Sequence, residues 1–164
     1  MATATDLPVS PLAPERFPVL PVVRGVEMTT HSLGLYKGKV RDDLLVVHFP
    51  EGASAGGIFT KSSTRSDDVD RCRAALQAGK GRARVLVVNT GNSNAFTGAA
   101  GIAKNTATVA SAVKMSGCDP HQVFISATGV IGEPLPPHIV SGGVEKVWSG
   151  LGAPDWEKVA NCIR

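Results

Sequence analysis

Apolar residues along this chain fall into short β-branched runs that alternate with stretches of helical spacing. Leu44-Leu45-Val46-Val47-His48-Phe49 predicts a strand, stopped by Pro50 and the turn residues Glu51-Gly52. Gly56-Gly57 leads into Ile58-Phe59-Thr60, a second short strand, so a hairpin is expected. A helix is predicted from Asp68 to Ala78, with Ser66 or Asp67 as cap. Val69, Cys72 and Leu76 share one face of it, and Gly79 follows as its stop. Val85–Asn89 lacks polar alternation, as a strand covered on both faces would. Ala103, Ala107, Ala110 and Val113 recur at near-helical spacing and predict a helix over 103–116, ended by Gly117. Val123–Ser126 is a further buried strand. Pro136-Pro137 open a third helix lined by Val140, Val144, Val147 and Leu151, although Gly142-Gly143 weaken its pattern. Trp156, Val159, Ala160 and Ile163 mark a fourth.

Both α/β and α+β arrangements fit this order. The hairpin that precedes the alternating units makes α+β, as a layered sheet-and-helix sandwich, the expected class. Residues 1–21 carry five prolines and read as an extended N-terminal arm, so the expected organisation is an arm over 1–21 and one domain over 22–164. At 164 residues, 43% hydrophobic and 19% charged, the chain can bury a core of its own, built from aliphatic side chains because aromatics are only 5%.

A net charge of +3 is too small to point to nucleic acid; Lys37-Lys39-Arg41 and Lys80-Arg82-Arg84 read as solvated edges. The three cysteines form no CxxC pair and the four histidines no HxH or HExxH pattern, so no metal is expected. No apolar run reaches the roughly 18–20 residues of a membrane span, and no secretory signal opens the chain. A cytoplasmic protein with no membrane partner is expected.

Gly52-Ala53-Ser54-Ala55-Gly56 matches the G-x-S-x-G string of nucleophile elbows, but strand formers follow it where that motif needs a helix. It is a chance match. Phosphate-binding glycine motifs are absent. Cys118 has no evident base beside it and reads as structural. Two loops are harder to dismiss. Asn89–Gly98 packs three Asn and two Thr between a buried strand and a helix start, more than a plain turn accounts for. Ser126–Gly132 sets the hydroxyl of Thr128 next to the backbone N–H of Gly129, a pair of small donors suited to a developing oxyanion. From spacing alone, a strand leaving its sheet through a glycine turn is the better account of this second segment.

VNTGNSNAFTG (88–98) followed by VFISATGVIGEPLP (123–136) resembles the bifunctional ornithine acetyltransferase/glutamate N-acetyltransferase family of arginine biosynthesis. FPVLPVVRGV (17–26), RDDLLVV (41–47) and AGGIFTKSSTRSDDVDRCR (55–73) extend the resemblance from Phe17 to the last residue. It implies an enzyme that moves an acetyl group from N-acetylornithine to glutamate through an acetyl-enzyme, with acetyl-CoA as a further possible donor and no other cofactor. It also implies a precursor that cuts itself into two chains, freeing a Thr nucleophile at the start of the β chain, which is then the partner. The family's oxyanion hole falls here on Thr128 and Gly129; the substrate-binding positions are not assigned. Phe96 stands where many members have Cys, and Asp67-Asp68 where a more apolar pair is usual.

The sequence ends at Arg164, about where the family's Thr-Thr-Asp-Thr segment begins, so these 164 residues alone are expected to transfer no acetyl group. Two other functions compete with this one. The first is a hydrolase of the self-cleaving aminopeptidase type, which shares the fold group; the second is a non-catalytic partner chain.

Overall fold

A computed structural model describes residues 10–164. The first nine residues of the expected arm lie outside the described ones; residues 10–26 contain no helix or strand, and Leu12, Val19 and Val22 stand exposed. The body is built on four strands in sequence order: β1 (Glu27–His31), β2 (Leu44–Ser54), β3 (Arg82–Asn92) and β4 (Val123–Val130). β1, β2 and β3 pair antiparallel, and β4 runs parallel to β3 along the sheet's edge. Such a mixed sheet with its helices makes the class α+β.

β2 continues through Pro50 and Gly52 to Ser54, past the predicted stop, with a break in register between His48 and Ala53. Its partners are β1 and β3; Ile58-Phe59-Thr60 is irregular and forms no hairpin. The Thr29–Thr30 segment, weak in apolar character, competes successfully because Thr is β-branched and pairs opposite Val46 and Leu45.

Four helices follow the predicted order: α1 (Asp67–Ala78), α2 (Gly98–Ser116), α3 (Pro137–Val147) and α4 (Trp156–Ile163). Alternation along the strands divides the core in two. Leu44, Val46, Val85, Val87, Val123 and Ile125 face α1, α2 and α3, whose Cys72, Val109, Ala112, Val140 and Val144 complete a closed interior. Leu45, Val47, Leu86 and Val88 face the other way, where Cys162 and Val159 of α4 cover them. β3 is thus covered on both faces, as its continuous apolar run predicts. Gly143 is required by packing: a Cβ there would meet Leu33 Cδ2 at 2.5 Å and Leu44 Cδ2 at 2.8 Å, so a glycine lets α3 lie close on the sheet.

Two helix faces differ from those the apolar spacing predicts. In α2, Ala103 and Ala110 are exposed, while Lys104, Asn105, Thr108 and Ser111 join Val109 and Ala112 on the buried side. In α4, Cys162 is the buried residue and Ile163 is exposed. The end of α1 also differs: Gly79 has φ −79°, and Lys80 at φ 50° takes the left-handed step.

Candidate functional site

The two segments read as loops begin inside strands: β3 runs past the predicted end at Asn89 to Asn92 and β4 past Ser126 to Val130, because the two parallel ends pair with each other through Thr90–Thr128 and Gly91–Gly129. Beyond the sheet, Ser93 N donates to Val130 O at 3.0 Å, Gly132 N to Ala95 O at 2.8 Å, and the Asn92 side-chain amide to Glu133 O.

The Asn-rich loop turns its polar groups inward. Asn89, Thr90, Asn92 and Asn94 are each at most 2% exposed. Asn89 Nδ2 donates to Asn92 O at 3.1 Å, and Asn92 Oδ1 accepts from Asn94 N at 3.1 Å. Asn94 Nδ2 donates to Asp68 Oδ1 at 2.9 Å, and Asn105 Nδ2 reaches the same oxygen at 2.6 Å. Thr97 Oγ1 closes on Asn94 O and Asn94 Oδ1, both at 3.1 Å. Thr90 Oγ1 donates to Cys162 O on the opposite face. These asparagines brace the segment from within; Asp68 is the carboxylate partner of Asn94 and Asn105, and Asp67 adds a second acceptor for Asn105. Sequence reasoning missed Asp68, Lys104 and Asn105. The signal that could have found them is the helical spacing of the polar residues 104, 105, 108 and 111 on one face of α2.

Thr128 and Gly129 contrast with that loop; both are exposed. Thr128 pairs with Thr90 in the β3–β4 register, so alternation puts its side chain on the α4 face of the sheet. α4 packs against β1, β2 and β3, leaving that face of β4 open, with Ser126 also exposed. Gly129 has φ +131°, and a Cβ there would meet the carbonyl carbon of Gly91 at 2.5 Å and Asn92 N at 2.7 Å. Gly91 is itself pressed on its other side by Leu35, and Asp43 holds that segment: its buried carboxylate accepts from Leu33 N at 2.6 Å and Leu35 N at 2.8 Å. The backbone at 128–129 is therefore held close against β3 while both residues stay exposed, which sets a Thr hydroxyl beside a glycine N–H on a fixed frame.

A cavity of about 1110 Å³ beside α4 is lined by Lys39, Arg41, Asp42, Glu157 and Lys158 and by neither Thr128 nor Gly129. Burial pushes the Cys162 thiol on its wall up to about 11, which leaves no nucleophilic thiolate there near neutral pH. Ser54 lies at the end of β2 opposite Arg82, with no helix after it to lift it into a site. Among the described residues, no group of three or more His, Cys, Asp or Glu side chains could hold a metal ion. No helix among them is long and apolar enough to cross a membrane.

The sequence pattern of the ArgJ family matches residues 27–164, nearly the whole of the structured body. The chain belongs to the ArgJ family. It is 46% identical over 160 residues to the arginine biosynthesis bifunctional protein ArgJ of Mesorhizobium japonicum, covering 94% of this chain and 37% of that protein. The ArgJ protein of Agrobacterium fabrum is 44% identical over 155 residues, with the same coverage. The chain thus spans little more than a third of the length of these relatives. Two crystal structures share the fold of this family member. Ornithine acetyltransferase from Mycobacterium tuberculosis, solved with ornithine, aligns with a TM-score of 0.72 at 26% identity over 85% of this chain and 75% of that one. ArgJ from Bacillus halodurans aligns at 0.69 and 24% identity, over 75% of this chain and 63% of that one.

Proposed function

We propose that this chain is the α-chain part of an acetyltransferase of arginine biosynthesis, and that Thr128 and Gly129 are its oxyanion donors. The acetyl group passes from N-acetylornithine to glutamate, with acetyl-CoA as a second possible donor. The observation that carries the reading is the clamped, exposed Thr128–Gly129 segment, in a chain that belongs to the ArgJ family.

A Thr hydroxyl on a β chain from the same precursor attacks the acetyl carbonyl carbon, and the carbonyl oxygen takes up negative charge. The Thr128 hydroxyl and the Gly129 N–H donate to that oxygen. The tetrahedral species collapses as the ornithine amine departs, taking the proton that the nucleophile gave up. The amine of glutamate then attacks the acetyl-enzyme through a second oxyanion at the same donors. This species collapses by breaking the Thr ester bond as a proton from the amine returns to the Thr oxygen, releasing acetylated glutamate. Two donors held in place by the fold need no reorganisation as charge develops, which is why they stabilise the transition state more than the bound substrate.

The test is acetyl transfer by the full-length protein. Thr128→Ala is expected to lower kcat by roughly 10²–10³ with KM little changed, since one oxyanion donor is lost and substrate contacts are kept. Thr128→Ser keeps the hydroxyl and should retain far more activity. Full turnover by Thr128→Ala would overturn the assignment.

A further inference from the structure

We infer that Lys104 is a positioning residue for the oxyanion donors, acting through Asn89 and Asn92; this rests on the role of Thr128 and Gly129 proposed above. Lys104 lies on the buried face of α2 and is 3% exposed. Its ammonium donates to Asn89 Oδ1 at 3.1 Å. Asn89 Nδ2 in turn donates to the backbone carbonyl of Asn92 at 3.1 Å. Asn92 then touches both sides of the oxyanion segment. Its backbone nitrogen lies 2.7 Å from where a Cβ of Gly129 would be, and its side-chain amide donates to Glu133 O just beyond the turn. A rigid helix is thus linked, through two asparagines each at most 2% exposed, to the peptide that carries the donors.

A purely structural role explains this lysine poorly. None of the ion pairs among the described residues includes it, so the buried ammonium is matched to a neutral amide. Burial lowers its pKa, and the carboxylates of Asp68 and Asp67 only partly offset that. An apolar side chain of similar length would fill the same space, at the loss of a positive charge near the buried Asp68 carboxylate. An apolar residue could not, however, orient Asn89. An ammonium has only donors, so it demands the carbonyl oxygen of Asn89 and turns the NH₂ group toward Asn92 O. Without it, the Asn89 amide is free to rotate, and the Asn92 carbonyl loses its fixed partner.

The experiment measures steady-state acetyl transfer by the full-length protein carrying Lys104→Met, Asn89→Asp or Thr128→Ala, and each of the first two combined with the third. Asn89→Asp keeps an acceptor for the ammonium but sets an oxygen against Asn92 O, so it tests the link even if Lys104→Met does not fold. Each of the two single variants should lower kcat by about 10–100-fold with KM within about twofold, the signature of misplaced transition-state groups. In the Thr128→Ala background the same changes should cost less than about threefold, because residues acting as one unit are not additive. A folded Lys104→Met or Asn89→Asp protein with unchanged kcat, beside an impaired Thr128→Ala, would overturn the positioning role alone. So would losses that simply multiply. Full turnover by Thr128→Ala would overturn the oxyanion assignment and this inference with it.

Discussion

The end of β3 with the loop after it and the end of β4 lie side by side and hold each other by hydrogen bonds, yet they use their polar groups in opposite ways. Asn89, Asn92 and Asn94 are buried and bonded to one another, to Asp68 and to Lys104. Thr128 and Gly129, compositionally the plainer pair, are exposed. The lesson is that a loop rich in polar side chains is not thereby a reactive one. Its asparagines make a rigid bed, and the groups left free to act lie on the neighbour that the bed supports.

The sharpest way to break this contrast is to remove the clamp. Gly129→Ala forces a Cβ to within 2.5 Å of the Gly91 carbonyl carbon at a φ of +131°. Backbone strain and overpacking together should destabilise the protein by about 3–5 kcal/mol, read as a large drop in thermal midpoint or a failure to accumulate folded protein. A Gly129→Ala protein as stable as the parent would mean that the two strand ends are not pinched together.

A smaller effect is expected inside the bed. Asn94→Ala leaves Asp68 Oδ1 with one donor fewer and frees Thr97 from two of its contacts. Loss of a buried, bonded amide should lower stability by about 1–3 kcal/mol in thermal or denaturant unfolding of the full-length protein. An unchanged midpoint would argue that the loop is held by its backbone alone.

The smallest effect should come two residues further on. Phe96 is 71% exposed and sits at φ 57°, a conformation that asparagine adopts more readily. Phe96→Asn should leave stability within about 0.5 kcal/mol of the parent. A loss comparable to that of Asn94→Ala would place Phe96 in a contact outside residues 10–164 and redraw the boundary between bed and surface.

Much of this arrangement is legible in the sequence. The covered strand beginning at Val85 and the helix limits near Asp67 and Ser116 follow from apolar runs and turn residues, whereas the meeting of the two Gly- and Thr-bearing segments is seen only in the sheet pairing. Thr128 and Gly129 stand out in the sequence as a hydroxyl set beside a glycine N–H. What stays hidden depends on contacts distant in sequence. β2 pairs with Thr-rich β1 rather than with Ile58–Thr60, because register is decided by the assembled sheet and not by local propensity. The buried side of α2 escapes because polar residues are read as outward-facing. Lys104, Asn105 and Thr108 are inward because partners from α1, β3 and their own helix satisfy them.

The central claim is geometric, and a crystal structure of the full-length protein trapped as its acetyl-enzyme tests it directly. The acetyl carbonyl oxygen should lie within roughly 2.7–3.1 Å of both Thr128 Oγ1 and the Gly129 backbone nitrogen. An acetyl oxygen held by other donors, with the Thr128 hydroxyl turned away or bonded within the protein, would contradict the account.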